Sequence, residues 1–194
     1  MKDEELVKRV KSGDLEAFEE IISIYEGKVF GLIAHMIKNQ NEIEDIAQEV
    51  FIKIYKNISK FQGNSSLYTW IYKITVNLCL DVIRKKKEVI YLDEKIKLND
   101  GEVEFQIPSD EKNQEQIYEE KELKEKMRSC IDKLPDKQKV MIILRDIKGM
   151  SYEEISEITN IKLGTVKSQI NRARLKLKEL LEKDGTLLEY IESN

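Results

Sequence analysis

Between Lys162 and Lys178 the chain places six Lys and Arg and no Asp or Glu. On a helix turning about 100° per residue, Val166, Ile170, Ala173, Leu177 and Leu180 share one sector and must pack inward. Lys167, Ser168, Asn171, Arg172 and Lys178 fall on the opposite side, with Arg174 on the flank. Arg can donate two parallel hydrogen bonds to guanine, and Asn can pair with adenine. Such a face near a helix start therefore suits the major groove of DNA. A solvated surface face would also explain the cations. Such faces usually intersperse Glu, however, and here none comes before Glu179.

A second row of potential chemistry lies on "LYTWIYKITVNLCLDVIRKKK", residues 67–87. Trp70, Lys73, Asn77 and Arg84 line up at spacings of three, four and seven. An aromatic, a cation and an amide in one row could stack a base, contact a phosphate and read a base edge, as single-stranded nucleic acid requires. Phe61, Tyr68 and Tyr72 add aromatic surface nearby. Taken alone, Trp70 and Phe61 are more readily explained as core anchors. A third row, Asp45, Glu49, Ile52 and Lys56, stands opposite the apolar stripe of residues 41–58. An exposed Ile among charges on a well-formed helix fits a protein-partner surface, although isolated exposed apolar residues are common.

The elements that must position these rows are helical. Residues 15–58 keep a three–four apolar spacing, clearest at Ile43, Ile46, Ala47, Val50, Phe51, Ile54, Tyr55 and Ile58. Asn41 and Glu44 form a helix-start pair. "KFQGNSS" (60–66) breaks the period and reads as a loop. The next helix has Leu67, Ile71, Ile74, Leu78 and Val82 as its expected inner stripe. Residues 88–120 hold eleven acids and three bases, a net charge of 3 − 11 = −8, and show no sustained period. They read as a linker between two domains. Beyond it, "LPDKQKVMIILRDIKGM" predicts a short helix with Pro135 near its start and Gly149 past its end. Ser151 and Glu154 form a capping box. The turn "NIKL" then leads into the cationic helix, which completes a helix-turn-helix pattern.

Composition narrows the classes. The chain has 33 basic and 37 acidic residues, and 41% of it is hydrophobic. It can therefore build real cores, and two prolines and eight glycines favour helix. Cys79 and Cys130 lie far apart, and His35 is the single histidine, in an apolar stretch that reads as core. Neither a zinc site nor a disulfide framework is expected. The opening "MKDEELVKRV" lacks the apolar run of a signal peptide, and no apolar run is long enough to span a membrane. A cytoplasmic setting is expected. No Gly-rich phosphate loop occurs and no Ser or Cys nucleophile pairs with a His, so neither an enzyme nor a cofactor is expected.

"EDIAQEVFIKIYKNISKFQGNSSLYTWIYKITVNLCLDVIRKKK" resembles the second domain of bacterial RNA polymerase sigma factors. "LPDKQKVMIILRDIKGMSYEEISEITNIKLGTVKSQINRARLKL" resembles their fourth. With no third domain between them, the chain is similar to the extracytoplasmic-function (ECF) group of the sigma-70 family. The resemblance implies an all-α protein of two small domains: 1–87 (polymerase binding and −10 recognition), an acidic flexible linker 88–116, 117–184 (helix-turn-helix, −35 recognition) and a tail 185–194. It implies that the helix matching 41–58 docks on the β′ clamp helices of core polymerase through Asp45, Gln48, Glu49 and Ile52. A contact to the β subunit is also implied. Phe61, Tyr72 and Asn77 match positions that line a pocket for a flipped −10 base, and Asn64, Trp70 and Lys73 belong to the same surface. Lys167, Ser168, Asn171 and Arg172 match DNA-contacting positions of the −35 surface, to which Lys162, Thr165 and Arg174 are also assigned. An anti-sigma partner, often membrane-anchored in this group, is implied, and no small-molecule substrate. The chain departs from the family at "IKLGTV", where many members have Pro before Gly-Thr-Val and this one has Lys162 and Leu163. Two other readings compete from the residues: a response regulator with a C-terminal helix-turn-helix, and a helical adaptor without nucleic acid. The first would need an α/β N-terminal domain, and the acid-free face of 164–178 opposes the second.

Overall fold

The computed structural model describes the backbone of residues 2–92 and 114–185, and the side chains of 3–87 and 121–185. All regular structure among the described residues is helical. The chain divides into two compact units. The first holds α1 (Lys2–Lys11), α2 (Leu15–Met36), α3 (Gln40–Asn57), a 3-10 turn (Ile58–Lys60) and α4 (Leu67–Leu92). The second is built on α5 (Gln114–Asp132), α6 (Asp136–Ile142) with a π turn (Ile143–Ile147), and α8 (Leu163–Asp184). The short α7 (Tyr152–Thr159) stands between α6 and α8 in sequence. α4 runs on to Leu92 and α5 begins at Gln114, so both reach into the span 88–116 read as a linker. No Gly or Pro between Glu88 and Leu92 stops the helix. The rest of that linker, and the tail beyond Gly185, lie outside the described residues.

In the first unit α2 packs on α1, α3 and α4. It contributes Ala17, Ile21, Tyr25, Val29 and Leu32, which are at most 3% exposed. Their spacing of three or four builds one ridge, and each such aliphatic side chain contributes about 1.5–3 kcal/mol by leaving water. The continuous helical period expected from 15 to 58 is interrupted at Ile37. Asn39 caps α3 by accepting from the Asn41 amide at 3.1 Å, and its own amide donates to Glu42 at 3.2 Å. The cap is thus Asn39 with Glu42, not Asn41 with Glu44, because the helix begins at Gln40 and Asn41 already lies inside its first turn. The α4 stripe keeps Leu67, Ile71 and Leu78 inside as expected but is broader than the expected row. Ile71, Tyr72, Thr75, Val76 and Cys79 are buried, while Ile74 and Val82 are only half-buried. Thr75 stays inside at no unpaired cost because its hydroxyl donates to the Ile71 carbonyl at 2.9 Å.

The second unit buries Cys130 of α5, Val140 to Leu144 of α6 and its π turn, and Val166, Ile170, Ala173 and Leu181 of α8. Leu181, not Leu180, closes the inner stripe; Leu180 is half-buried. Lys139 is 7% exposed and pairs with Asp132. The capping box forms as its spacing dictates. The Ser151 amide donates to Glu154 Oε2 at 2.8 Å, and the Glu154 amide donates to Ser151 Oγ at 3.2 Å. Gly149 sits at φ 68°, a left-handed position that lets the Met150 amide turn back to the Leu144 carbonyl at 3.0 Å. Asn160 holds the turn before α8 at φ 55°, a conformation that Asn tolerates better than most residues.

Candidate nucleic-acid and partner interfaces

A groove of about 370 Å³ opens on the first unit between the end of α3 and the start of α4. Lys53, Asn57 and Lys60 form one wall; Trp70, Lys73 and Asn77 form the other. Ile74 and Leu78 supply apolar surface, and Asp81 closes one end. The row Trp70, Lys73 and Asn77, read from spacing alone, is thus assembled on one side of a concave site. Helical spacing along α3 separates a buried stripe from a docking row and leaves the opposite wall unmarked. Lys53, Asn57 and Lys60 lie on the flank between the two, at spacings of four and three, and only folding brings them against α4.

Electrostatically the groove is cationic. Lys53 pairs with Glu49 at 3.2 Å and Asp81 with Arg84 at 3.4 Å, whereas Lys60 and Lys73 face no carboxylate among the described residues. Asn57 spends one amide hydrogen on the Lys53 carbonyl at 2.8 Å. A half-buried indole beside two uncommitted ammonium groups and an exposed amide can stack a base and hold its phosphate.

The remaining residues assigned to this surface stand elsewhere. Phe61 is buried, with its ring centroid 5.2 Å from that of Trp70, so it backs the indole and does not line the groove. Tyr72 is 2% exposed and lies two residues from Trp70, hence on the far side of α4. Its ring lies 4.2 Å from that of Tyr68, its hydroxyl donates to the Lys28 carbonyl at 3.5 Å, and burial pushes its pKa up. Asn64 is exposed in the loop and donates to Gln62 at 3.3 Å.

On α8 all seven assigned residues are exposed: Lys162, Thr165, Lys167, Ser168, Asn171, Arg172 and Arg174. Their charges are not equivalent. Arg174 grips the Asp146 carboxylate with two nitrogens, Nε at 3.2 Å to Oδ2 and an η nitrogen to Oδ1, which raises its pKa. Lys176 pairs with Glu179 at 3.0 Å and Lys178 with Glu182 at 3.7 Å. Lys167 lies 5.8 Å from the centre of the Tyr152 ring, which Arg145 also covers at 4.7 Å. Lys162 and Arg172 have no acidic partner among the described residues. The uncommitted charge is therefore concentrated in the first half of α8, beside the amides of the helix start, where the helix dipole also favours phosphate. Thr165 and Val166 amides are taken by the Lys162 carbonyl at 2.8 and 3.0 Å. The Ser168 hydroxyl is turned to the Thr165 carbonyl at 2.9 Å.

Asp45, Gln48, Glu49 and Ile52 are exposed on one face of α3, with Ile52 at 45%. Tyr55, expected inside, is 46% exposed and packs its ring, tilted, 4.9 Å from that of Phe18 of α2. The expected row is thus flanked by further apolar surface. No group of His, Cys, Asp or Glu among the described residues could hold a metal, and no helix among them is long and apolar enough to cross a membrane.

Comparison with known proteins gives the same division. Residues 21–89 match the family "Sigma-70 region 2", and residues 124–177 match "Sigma-70, region 4". The chain is 43% identical to the ECF RNA polymerase sigma factor SigW of Bacillus subtilis, over 90% of this chain and 94% of that protein. It is 36% identical to the ECF RNA polymerase sigma-E factor of Haemophilus influenzae, over 89% and 91%. Among solved structures, it resembles CnrH in complex with the cytosolic domain of CnrY, with a TM-score of 0.67 at 19% identity over 95% of this chain and 99% of that one. The sigma factor RpoE of Bartonella quintana, in complex with the anti-sigma factor NepR, gives 0.66 at 22% identity over 85% and 96%. At these identities the two structures support the fold.

Proposed function

We propose that this chain, which belongs to the ECF group of the sigma-70 family, works as a promoter-specificity subunit of RNA polymerase whose two nucleic-acid surfaces act in separate steps. It directs promoter-specific transcription initiation and leaves catalysis to the core enzyme. A response regulator is not favoured: the described N-terminal unit is helical throughout and matches region 2.

The observation that carries the assignment of surfaces is the contrast between them. The start of α8 offers exposed, uncommitted cations and the Asn171 side-chain amide on a convex helix, which suits duplex DNA at the −35 element. The α3–α4 groove offers an indole, an amide and ammonium groups in a concavity, which suits a displaced −10 strand. Unstacking a base costs a few kcal/mol, and stacking recovers about 1–3 kcal/mol per base. Trp70, Lys73 and Asn77 act directly in that groove. Phe61 and Tyr72 act from behind it, as supports. Asp45, Gln48, Glu49 and Ile52 dock on the β′ clamp helices.

With a net charge of −4 the free protein opposes DNA outside α8, so the isolated chain binds promoter duplex weakly and the polymerase complex binds it tightly. The working place is the cytoplasm, beside polymerase. An anti-sigma partner belongs to the same reading, supported by the partners named for the two similar structures.

Run-off transcription with purified core polymerase tests the whole: promoter-dependent transcripts are expected only when this chain is added. Arg172→Ala should weaken −35 binding by roughly 1–3 kcal/mol. Asn77→Ala should spare duplex binding and slow opening. Unchanged permanganate reactivity of the −10 thymines in Asn77→Ala would remove the groove from the mechanism.

A further inference from the structure

α1 lies outside the segment matched to region 2, which starts at residue 21, yet it is tightly tied into the unit. At its start the Tyr25 hydroxyl donates to Asp3 at 2.7 Å. Along its length Leu6, Val7 and Val10 are buried. Near its end Arg9 donates to Asp14 at 2.8 Å and to Glu20 at 3.0 Å. The last residue, Lys11, is thereby delivered to one place. Its ammonium donates to the Phe61 carbonyl at 2.6 Å, fifty residues away.

Phe61 is the root of the loop between the 3-10 turn and α4. Its ring backs Trp70, its amide donates to the Ile58 carbonyl at 3.1 Å, and its carbonyl is taken by Lys11. The far end of the loop is fixed as well: the Ser66 hydroxyl accepts from the Thr69 amide at 3.0 Å. Between these two anchors, Gln62, Gly63 and Asn64 are exposed, and Gly63 turns the chain at φ 76°. Lys11 is exposed and faces no carboxylate among the described residues, so its charge is spent on one backbone carbonyl. That contact holds the carbonyl of the Phe61–Gln62 peptide at the point where the loop leaves the Trp70 wall.

We propose that Lys11 is a positioning residue for promoter opening: it fixes the root of the 61–66 loop and so aims the loop and the Trp70 wall at the displaced strand. This rests on the reading that the α3–α4 groove receives that strand.

The test uses holoenzyme assembled with wild type, Lys11→Met, Lys11→Arg and Asn77→Ala. Permanganate reactivity of the −10 thymines reads opening, and affinity for core polymerase reads the docking face. With its charge screened by solvent at this exposed site, such a hydrogen bond is worth about a three- to tenfold effect. Lys11→Met should therefore lower the extent of opening about three- to tenfold with core affinity unchanged, and Lys11→Arg, which keeps a cationic donor, should restore it. Wild-type opening in Lys11→Met would overturn the proposal. So would a parallel loss of opening, core affinity and thermal stability that Lys11→Arg fails to rescue, since that is merely a damaged unit. Asn77→Ala reports separately: if it leaves opening unchanged the groove reading fails, whereas a defect there beside normal Lys11→Met sinks only the role of Lys11.

Discussion

Replacing Asp146 separates two jobs that Arg174 could perform. Its place on the cationic flank of α8 makes it a candidate phosphate contact. Its two-nitrogen grip on Asp146 makes it a brace between α8 and the π turn after α6. The two side chains are 47% and 34% exposed, so solvent screens the pair strongly. Exposed pairs contribute about 0.2–1 kcal/mol, and forked Arg–carboxylate geometry belongs to the upper part of that range. A double-mutant cycle of Asp146→Asn with Arg174→Ala, followed by urea unfolding, should give a coupling of about 0.5–1 kcal/mol. The salt dependence of promoter binding by holoenzyme then separates the jobs. Arg174 already has its charge matched, so Arg174→Ala should leave the slope unchanged, whereas Arg172→Ala should lower it by about one. Asp146→Asn frees a cation and should steepen the slope. A coupling below about 0.2 kcal/mol, together with a slope lowered in Arg174→Ala as in Arg172→Ala, would refute the brace.

Three further outcomes follow from other contacts. Ser151→Ala removes one half of the capping box of α7 and should cost about 1 kcal/mol, read as a lower midpoint of thermal unfolding. The Asp14 carboxylate is held below its ordinary 3.8 by the Ala17 amide and by Arg9. Its contribution is therefore present above the unfolded value and lost as pH falls through the lower folded one. Asp14→Asn should flatten the fall in stability on acidification below about pH 4, measured by urea midpoints across that range. Ile52→Asp should weaken the affinity for core polymerase by about 1–2 kcal/mol while leaving the unfolding midpoint nearly unchanged, measured by a binding titration with labelled core.

What was legible in the sequence was whatever depends on neighbours within a turn or two. The Ser151–Glu154 box, the apolar run through Val166, Ile170 and Ala173, and the row Trp70, Lys73, Asn77 all follow from helical spacing. The start of α3 was ambiguous for the same local reason: Asn39 with Glu42 and Asn41 with Glu44 have equal spacing, and only the fold shows the helix beginning at Gln40. α1 was too short to announce itself, with three apolar residues in ten. The wall of Lys53, Asn57 and Lys60 and the Asp146–Arg174 pair required tertiary structure, because their partners sit on other helices and no periodicity encodes that distance. Tyr72 illustrates the opposite limit. The resemblance assigns it to a −10 base pocket, whereas the fold buries it on the side of α4 away from Trp70, against the Lys28 carbonyl of α2.

The two cysteines fall one to each unit, Cys79 in α4 and Cys130 in α5, neither in a disulfide and both 0% exposed. Burial also pushes the Cys130 thiol up, which keeps it protonated and slow to react. Each thiol can be alkylated only when its own unit opens. Under native conditions the labelling rates of the two positions are therefore independent clocks for the opening of the two halves. A bound partner that grips one half should slow one clock and leave the other running at its free rate.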